Sequence, residues 1–171
     1  MRPAALILAL VTLQRLGELV LAHRNTRALL KRGAFEVGAT HYPFIVAMHV
    51  AWLAALWAFG WNQPVNLFAL IGFVVLQGFR IWVLSTLRVR WTTRIIILPG
   101  EPRITWGPYR YLSHPNYAIV VAEIALLPLA LQLPMLALVF TVLNAAMLVI
   151  RVRAEARALA TARLDRQRTV P

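Results

Sequence analysis

The sequence predicts an all-α integral membrane protein of about five transmembrane helices, with a short interfacial hairpin or loop before the fourth. Three observations carry that prediction. Of the 171 residues 60% are hydrophobic, and the mean hydropathy is +0.68, whereas a soluble domain averages about 45–50% apolar residues. The apolar residues gather into runs near the ~20 residues that cross a hydrocarbon core. The basic residues gather at the ends of those runs and almost all on one side. The chain reads as a single membrane domain, too short for a second sizeable one.

The first span, Pro3–Ala22, follows Arg2 and resembles a signal peptide in outline. Gln14, Arg15 and Glu18 interrupt it, and no small-residue cleavage site precedes Arg24, so it reads as a retained helix. The second and third spans, Pro43–Gly60 and Pro64–Leu84, are joined only by Trp61, Asn62 and Gln63 and predict a tight antiparallel pair. The fourth and fifth, Asn116–Leu133 and Pro134–Ile150, turn back on each other around Gln132–Pro134. Prolines 43, 64 and 134 sit at helix starts, where a missing N–H costs little. Between the third and fourth spans, Arg88–Leu98 is rich in β-branched residues and Pro99–Pro102 is a turn signal. A return strand over Arg103–Trp106 would complete a small hairpin at the membrane surface. The arginine-rich tail after Leu159 is expected to be a helix that frays into solvent.

Counting charges orients the chain. The loop 23–42 carries Arg24, Arg27, Lys31 and Arg32; the loop 85–115 carries Arg88, Arg90, Arg94, Arg103 and Arg110; the tail carries Arg151, Arg153, Arg157, Arg163, Arg166 and Arg168. Thus 15 of 18 basic residues lie on one side, and the two short turns on the other side carry none. This predicts an N-terminus outside and a C-terminus in the cytoplasm, in a membrane of the bacterial inner type. The net charge of +12 is therefore a topology signal and a contact for anionic lipids, with no nucleic-acid partner expected. Most of the tryptophans, at 52, 57, 61, 82, 91 and 106, fall near span ends or in the interfacial loop, as belt anchors do. The absence of cysteine excludes disulfides, thiol nucleophiles and thiolate metal sites together.

The chemistry must come from a few polar groups. No Gly-rich nucleotide loop, Walker loop, HExxH or GxSxG motif is present. No two histidines or carboxylates show metal-ligand spacing, so no metal is expected. The most informative segment is Gly107–Tyr117, polar and aromatic, wedged between two apolar runs. Lipid cannot satisfy its polar groups, so it should close around something. Ionisable groups within spans are rare and usually functional. Glu123 lies two turns into the fourth span, on the face of Asn116. Arg15 and Glu18 can pair on the first span, either as a structural pair or in a pocket. Asn144, Arg151 and Glu155 form one polar stripe on the last helix. Among the histidines, His23 reads as surface, His49 as helix packing, and His41 beside Tyr42 as open to either role. His114 is set before Pro115 and between two tyrosines.

The pattern Gly107-x-Tyr109, His114-Pro115-x-Tyr117 and Arg151-x-x-x-Glu155-x-x-x-Leu159 resembles the isoprenylcysteine carboxyl methyltransferase family. Its members are small membrane methyltransferases that use S-adenosylmethionine. The resemblance covers about Leu98 to Leu159; the first half is similar in topology alone. The run from His114 to Ile124, and Arg24 with Asn25, look more like a bacterial branch that methylates alkylpyrones. The resemblance implies that Tyr109, His114, Pro115, Tyr117 and Glu155 bind the cofactor, with Glu155 suited to its ammonium group. It implies that Arg151 holds an anionic acceptor, a lipophilic carboxylate, enol or phenol. Glu123 or His41 would serve as base if the acceptor is a weak acid. Two positions depart from the family: Ser113 stands where arginine is common, and Ala156 where a second glutamate is common. A membrane reductase using NADPH and a non-catalytic scaffold or transporter subunit are the rival readings. Oligomeric state is not legible.

Overall fold

The computed structural model describes residues 2–168, and side chains as far as residue 155. Five helices dominate it: α1 (Pro3–Lys31), α2 (Tyr42–Gly60), α3 (Leu67–Leu87), α4 (Pro115–Ala130) and α5 (Pro134–Arg168). Four of them are long and apolar enough to cross a membrane, and α4 is a shorter apolar helix. At 1.5 Å per residue α4 spans roughly 24 Å, less than the ~30 Å hydrocarbon core. Its 16 residues end where Leu131–Leu133 reverse the chain, with Gln132 at a φ of +59°. The surface suits lipid: Phe68 is 89% and Val20 71% exposed on α3 and α1.

Helix ends explain the differences from the expected spans. α1 runs two and a half turns past Ala22, because nothing in Asn25–Lys31 breaks it. It stops at Gly33, whose φ of +87° lets Gly33 N–H reach Leu30 C=O at 3.0 Å and Ala34 N–H reach Leu29 C=O at 3.1 Å. α3 starts at Leu67 rather than Pro64, because the Asn66 side chain accepts the Ala69 N–H at 3.2 Å and caps the helix. In α5 the backbone stays helical to Arg168. The expected fraying of that tail, and the motif positions Ala156 and Leu159, fall beyond the described side chains.

The interfacial hairpin is built differently from the expected one. Strand β2 (Ile95–Ile97) pairs antiparallel not with 103–106 but with β1 (Phe35–Val37), from the loop between α1 and α2, with Glu36 opposite Ile96. Pro102 can offer no ladder N–H, and its carbonyl accepts from Arg90 at 2.8 Å. Phe35–Val37 supplies a free edge instead, and Arg94 donates to both oxygens of Glu36 at 2.8 Å. The ribbon thus ties the two basic loops together.

Packing divides the bundle into layers. At the turn end, Leu8, Trp52, Leu56, Phe73, Ile124, Leu127 and Leu131 form an apolar core. At the basic end, Ala22, Val83, Trp91 and Ile119 form a smaller one. Asn25 holds the second core closed. Its Nδ2 donates to the Arg88 and Trp91 carbonyls at 3.1 and 2.8 Å, which anchors the loop on α1. Removing a buried donor orphans both acceptors at about 1–3 kcal/mol. Asn25→Leu should therefore lower the midpoint of thermal unfolding in detergent, and an unchanged midpoint would mean the loop is held elsewhere.

Candidate functional site

The beginning of α4 and the basic end of α5 bring four of the sequence-predicted residues together. His114 and Tyr117 are three apart at the start of α4, so their rings face the same way; they stack with centroids 5.1 Å apart and planes 7° apart. Arg151 and Glu155 are four apart on α5. The Tyr117 hydroxyl donates to Glu155 Oε2 at 2.7 Å and accepts from Arg151 Nε at 3.0 Å. One phenol thus joins a cation, an anion and an aromatic stack. Pro115, fully buried at the first turn of α4, fixes the chain direction that makes the stack possible.

Tyr109 approaches from a 3₁₀ turn, Gly107–Arg110, that packs on the small core at the basic end. Burial, with Tyr117 and Glu155 nearby, pushes its phenol up to about 12, so it stays a hydrogen-bond donor at neutral pH. The approach needs Gly107. Its φ is +63°, and a Cβ there would stand 2.7 Å from Thr86 Oγ1 on α3.

Among the described residues, Glu155 Oε1 and the two terminal nitrogens of Arg151 have no hydrogen-bond partner in the protein. That leaves an acceptor for an ammonium group, donors for an anion, and a stacked aromatic face for a flat heterocycle. This donor set fits S-adenosylmethionine, whose sulfonium lies between an amino acid and a purine.

Below this cluster lies a cavity of about 280 Å³ between α1, α2, α4 and α5, near the low end of small-molecule sites. Tyr117 and Arg151 form its upper wall, and Leu16, Ile45, Leu53 and Met147 are among its apolar lining. Near the mouth, Tyr42 and Thr93 hydroxyls hydrogen-bond at 3.0 Å, and the Arg94 guanidinium lies 4.4 Å from the Tyr42 ring centroid. Glu36 holds Arg94 charged there. The β1–β2 ribbon therefore fixes the cover of the cavity.

The two proposed bases sit elsewhere. Glu123 is at the centre of a buried charge network across α1, α3 and α4. It accepts from Gln77 Nε2 at 2.9 Å, Arg15 Nη2 at 2.9 Å, Arg80 Nε at 2.7 Å and Arg80 Nη2. Glu18 completes the network, accepting from Arg15 at 2.8 Å and Arg80 at 3.1 Å. A carboxylate with all four acceptor positions filled by N–H donors is a poor proton acceptor. The Arg15–Glu18 pair expected from spacing is thus one edge of a larger network. His41 caps the start of α2 with its ring against Gly38, outside the cavity lining. Arg80, which lines the cavity, was not singled out by the sequence reading, and His49, read there as helix packing, lines it too. Arg80 had a signal, a lone charge in the third apolar run; His49 had none beyond its type.

Residues 68–161 match the model of the isoprenylcysteine carboxyl methyltransferase (ICMT) family. The chain is 38% identical over 159 residues to an uncharacterized Bacillus subtilis protein, YpbQ, covering 90% of this chain and 95% of that one. It is 28% identical over 151 residues to an uncharacterized Haemophilus influenzae protein, covering 85% and 88%. No solved structure matches. With the stacked His-Pro-x-Tyr segment joined to Arg151 and Glu155 inside a matched region of more than half its length, this integral membrane protein belongs to the isoprenylcysteine carboxyl methyltransferase family.

Proposed function

We propose that this protein transfers a methyl group from S-adenosylmethionine to an oxygen of a lipophilic, acidic acceptor at the membrane surface. The observation that carries this reading is the Tyr117 hydroxyl bridging Arg151 and Glu155 at the roof of a lipid-depth cavity. Glu155 receives the cofactor's ammonium group, and the His114–Tyr117 stack with the Tyr109 hydroxyl borders its pocket. Arg151, shared between cluster and cavity, holds the acceptor's anionic oxygen. When bound, the cofactor supplies a methyl group already activated on sulfur. The chain's own task is to align and dehydrate the two partners, an effect of up to roughly 7–11 kcal/mol in ideal cases.

The acceptor enters between helices into an apolar cavity, which suits a carboxylate, enol or phenol on an alkyl or prenyl chain. The arginine-rich end faces the cytoplasm, where the cofactor is, and the N-terminus faces outside. An open groove of about 800 Å³ lined by Arg24, Arg27 and Lys31 at that end suits anionic lipid headgroups.

Calorimetric titration with S-adenosylhomocysteine tests the reading. Wild-type protein in detergent should bind it, and Glu155→Ala should bind at least ~10-fold more weakly, since a charge-assisted contact is worth about 1.5–3 kcal/mol. No binding by folded wild-type protein would overturn the proposal and make NADPH the next ligand to titrate.

A further inference from the structure

Among the described residues lining the cavity, His49 is the one base not held by arginines. His49 lies on α2 with Nδ1 2.8 Å from the Ile45 carbonyl oxygen, one turn earlier. A carbonyl can only accept, so Nδ1 carries the hydrogen and the neutral ring keeps its lone pair on Nε2. Nε2 has no hydrogen-bond partner among the described residues, and His49 lines the cavity.

The same wall carries donors without partners. Arg15 Nε, Trp52 Nε1 and Asn144 Nδ2 are buried, unpaired and belong to residues lining this cavity. Helix rise sets two of them deeper in the bundle than Arg151 and His49, their neighbours on the same helices. Asn144 lies roughly 10 Å below Arg151 along α5, and Trp52 roughly 5 Å below His49 along α2, at 1.5 Å per residue. Unpaired buried donors cost free energy until an acceptor reaches them. Three unpaired N–H groups and one lone pair thus belong to residues that line this cavity.

We infer that His49 is the base that receives the acceptor's hydroxyl proton, with Arg151 holding the oxyanion that remains and Arg15, Trp52 and Asn144 donating to a further polar group deeper in the acceptor. The inference rests on the methyl-transfer reading above. In the step, the acceptor's O–H bond breaks, its electron pair stays on oxygen, and the proton bonds to His49 Nε2. Around the ring stand Arg15 and Glu18 from α1, Arg80 from α3, Tyr117 from α4 and Arg151 from α5, with Tyr42 on its own helix. Glu18 in the lining and Glu123 in the same charge network do not compete for the proton, and Glu155 is engaged by the cofactor's ammonium group. Glu18 and Glu123 are each held by two arginines.

The test uses a long-chain 2-alkyl-4-nitrophenol, whose absorption reports ionisation, added without cofactor to the protein in nanodiscs. Wild type should bind the probe and ionise it. His49→Phe and His49→Gln should each bind a similar amount by equilibrium dialysis, yet ionise at least ~10-fold less of it, the effect of a shift of about one pKa unit in the probe. Both variants should keep wild-type affinity for S-adenosylhomocysteine, which shows that they are folded. Equal ionisation by wild type and both variants would overturn the inference, as would failure of wild type to bind the probe. Failure of wild type to bind S-adenosylhomocysteine would instead sink the methyl-transfer reading, independently of the spectrum.

Discussion

Replacing Glu123 by leucine is expected to destabilise the folded protein by about 3–5 kcal/mol, because it strands the Arg80 and Arg15 guanidiniums at mid-membrane depth. Glu123 is only 1% exposed, and Arg80 only 3%, so water cannot replace the lost carboxylate. The network also links three helices: Gln14 on α1 and Gln77 on α3 join at 2.8 Å, while Arg80 bridges Glu18 on α1 and Glu123 on α4. Its loss should appear as a collapse of the thermal midpoint in detergent and a shift to aggregate on size exclusion. The double variant Glu123→Leu with Arg80→Met should recover much of the loss, since an apolar pair of similar volume leaves one charge fewer unpaired. A single variant as stable as wild type would show that the network does not hold the bundle.

Tyr117→Phe should have the largest effect on ligand binding for the smallest change in shape. The ring stack with His114 survives, but the hydroxyl that orders Arg151 and Glu155 is gone. Hydrogen bonds to charged groups are worth about 1.5–3 kcal/mol, which is roughly 10–100-fold in affinity. The expected result is that loss for S-adenosylhomocysteine by titration, with an unchanged unfolding midpoint. If affinity is unaltered, the bridge is only a structural link between α4 and α5, and the cofactor lies elsewhere.

Much of this was legible in the residues. Apolar runs bounded by prolines placed the helices, because a span needs length and hydropathy that few other elements combine. Tyr117, Arg151 and Glu155 were legible as one site only through the resemblance of their pattern to a family; the spacings alone allowed surface pairs and snorkelling. The return strand over Arg103–Trp106 failed because strand pairing is not local. β2 found its partner at Phe35–Val37, some sixty residues away, where a free edge was available.

By itself the sequence determined a membrane bundle with most of its basic residues at one end, since the bilayer punishes unpaired charge within the spans. It also determined which helix ends carry the polar groups, since i,i+3 and i,i+4 spacings set faces within a helix. Only the tertiary structure decided how groups on different helices meet. It placed Glu123 among Arg15, Arg80 and Gln77 rather than with Glu155, and set His41 outside the cavity and His49 within it. The reason is physical. Facing residues on separate helices are brought together by packing and by the cost of an unpaired buried charge, and neither has a period that can be read along the chain.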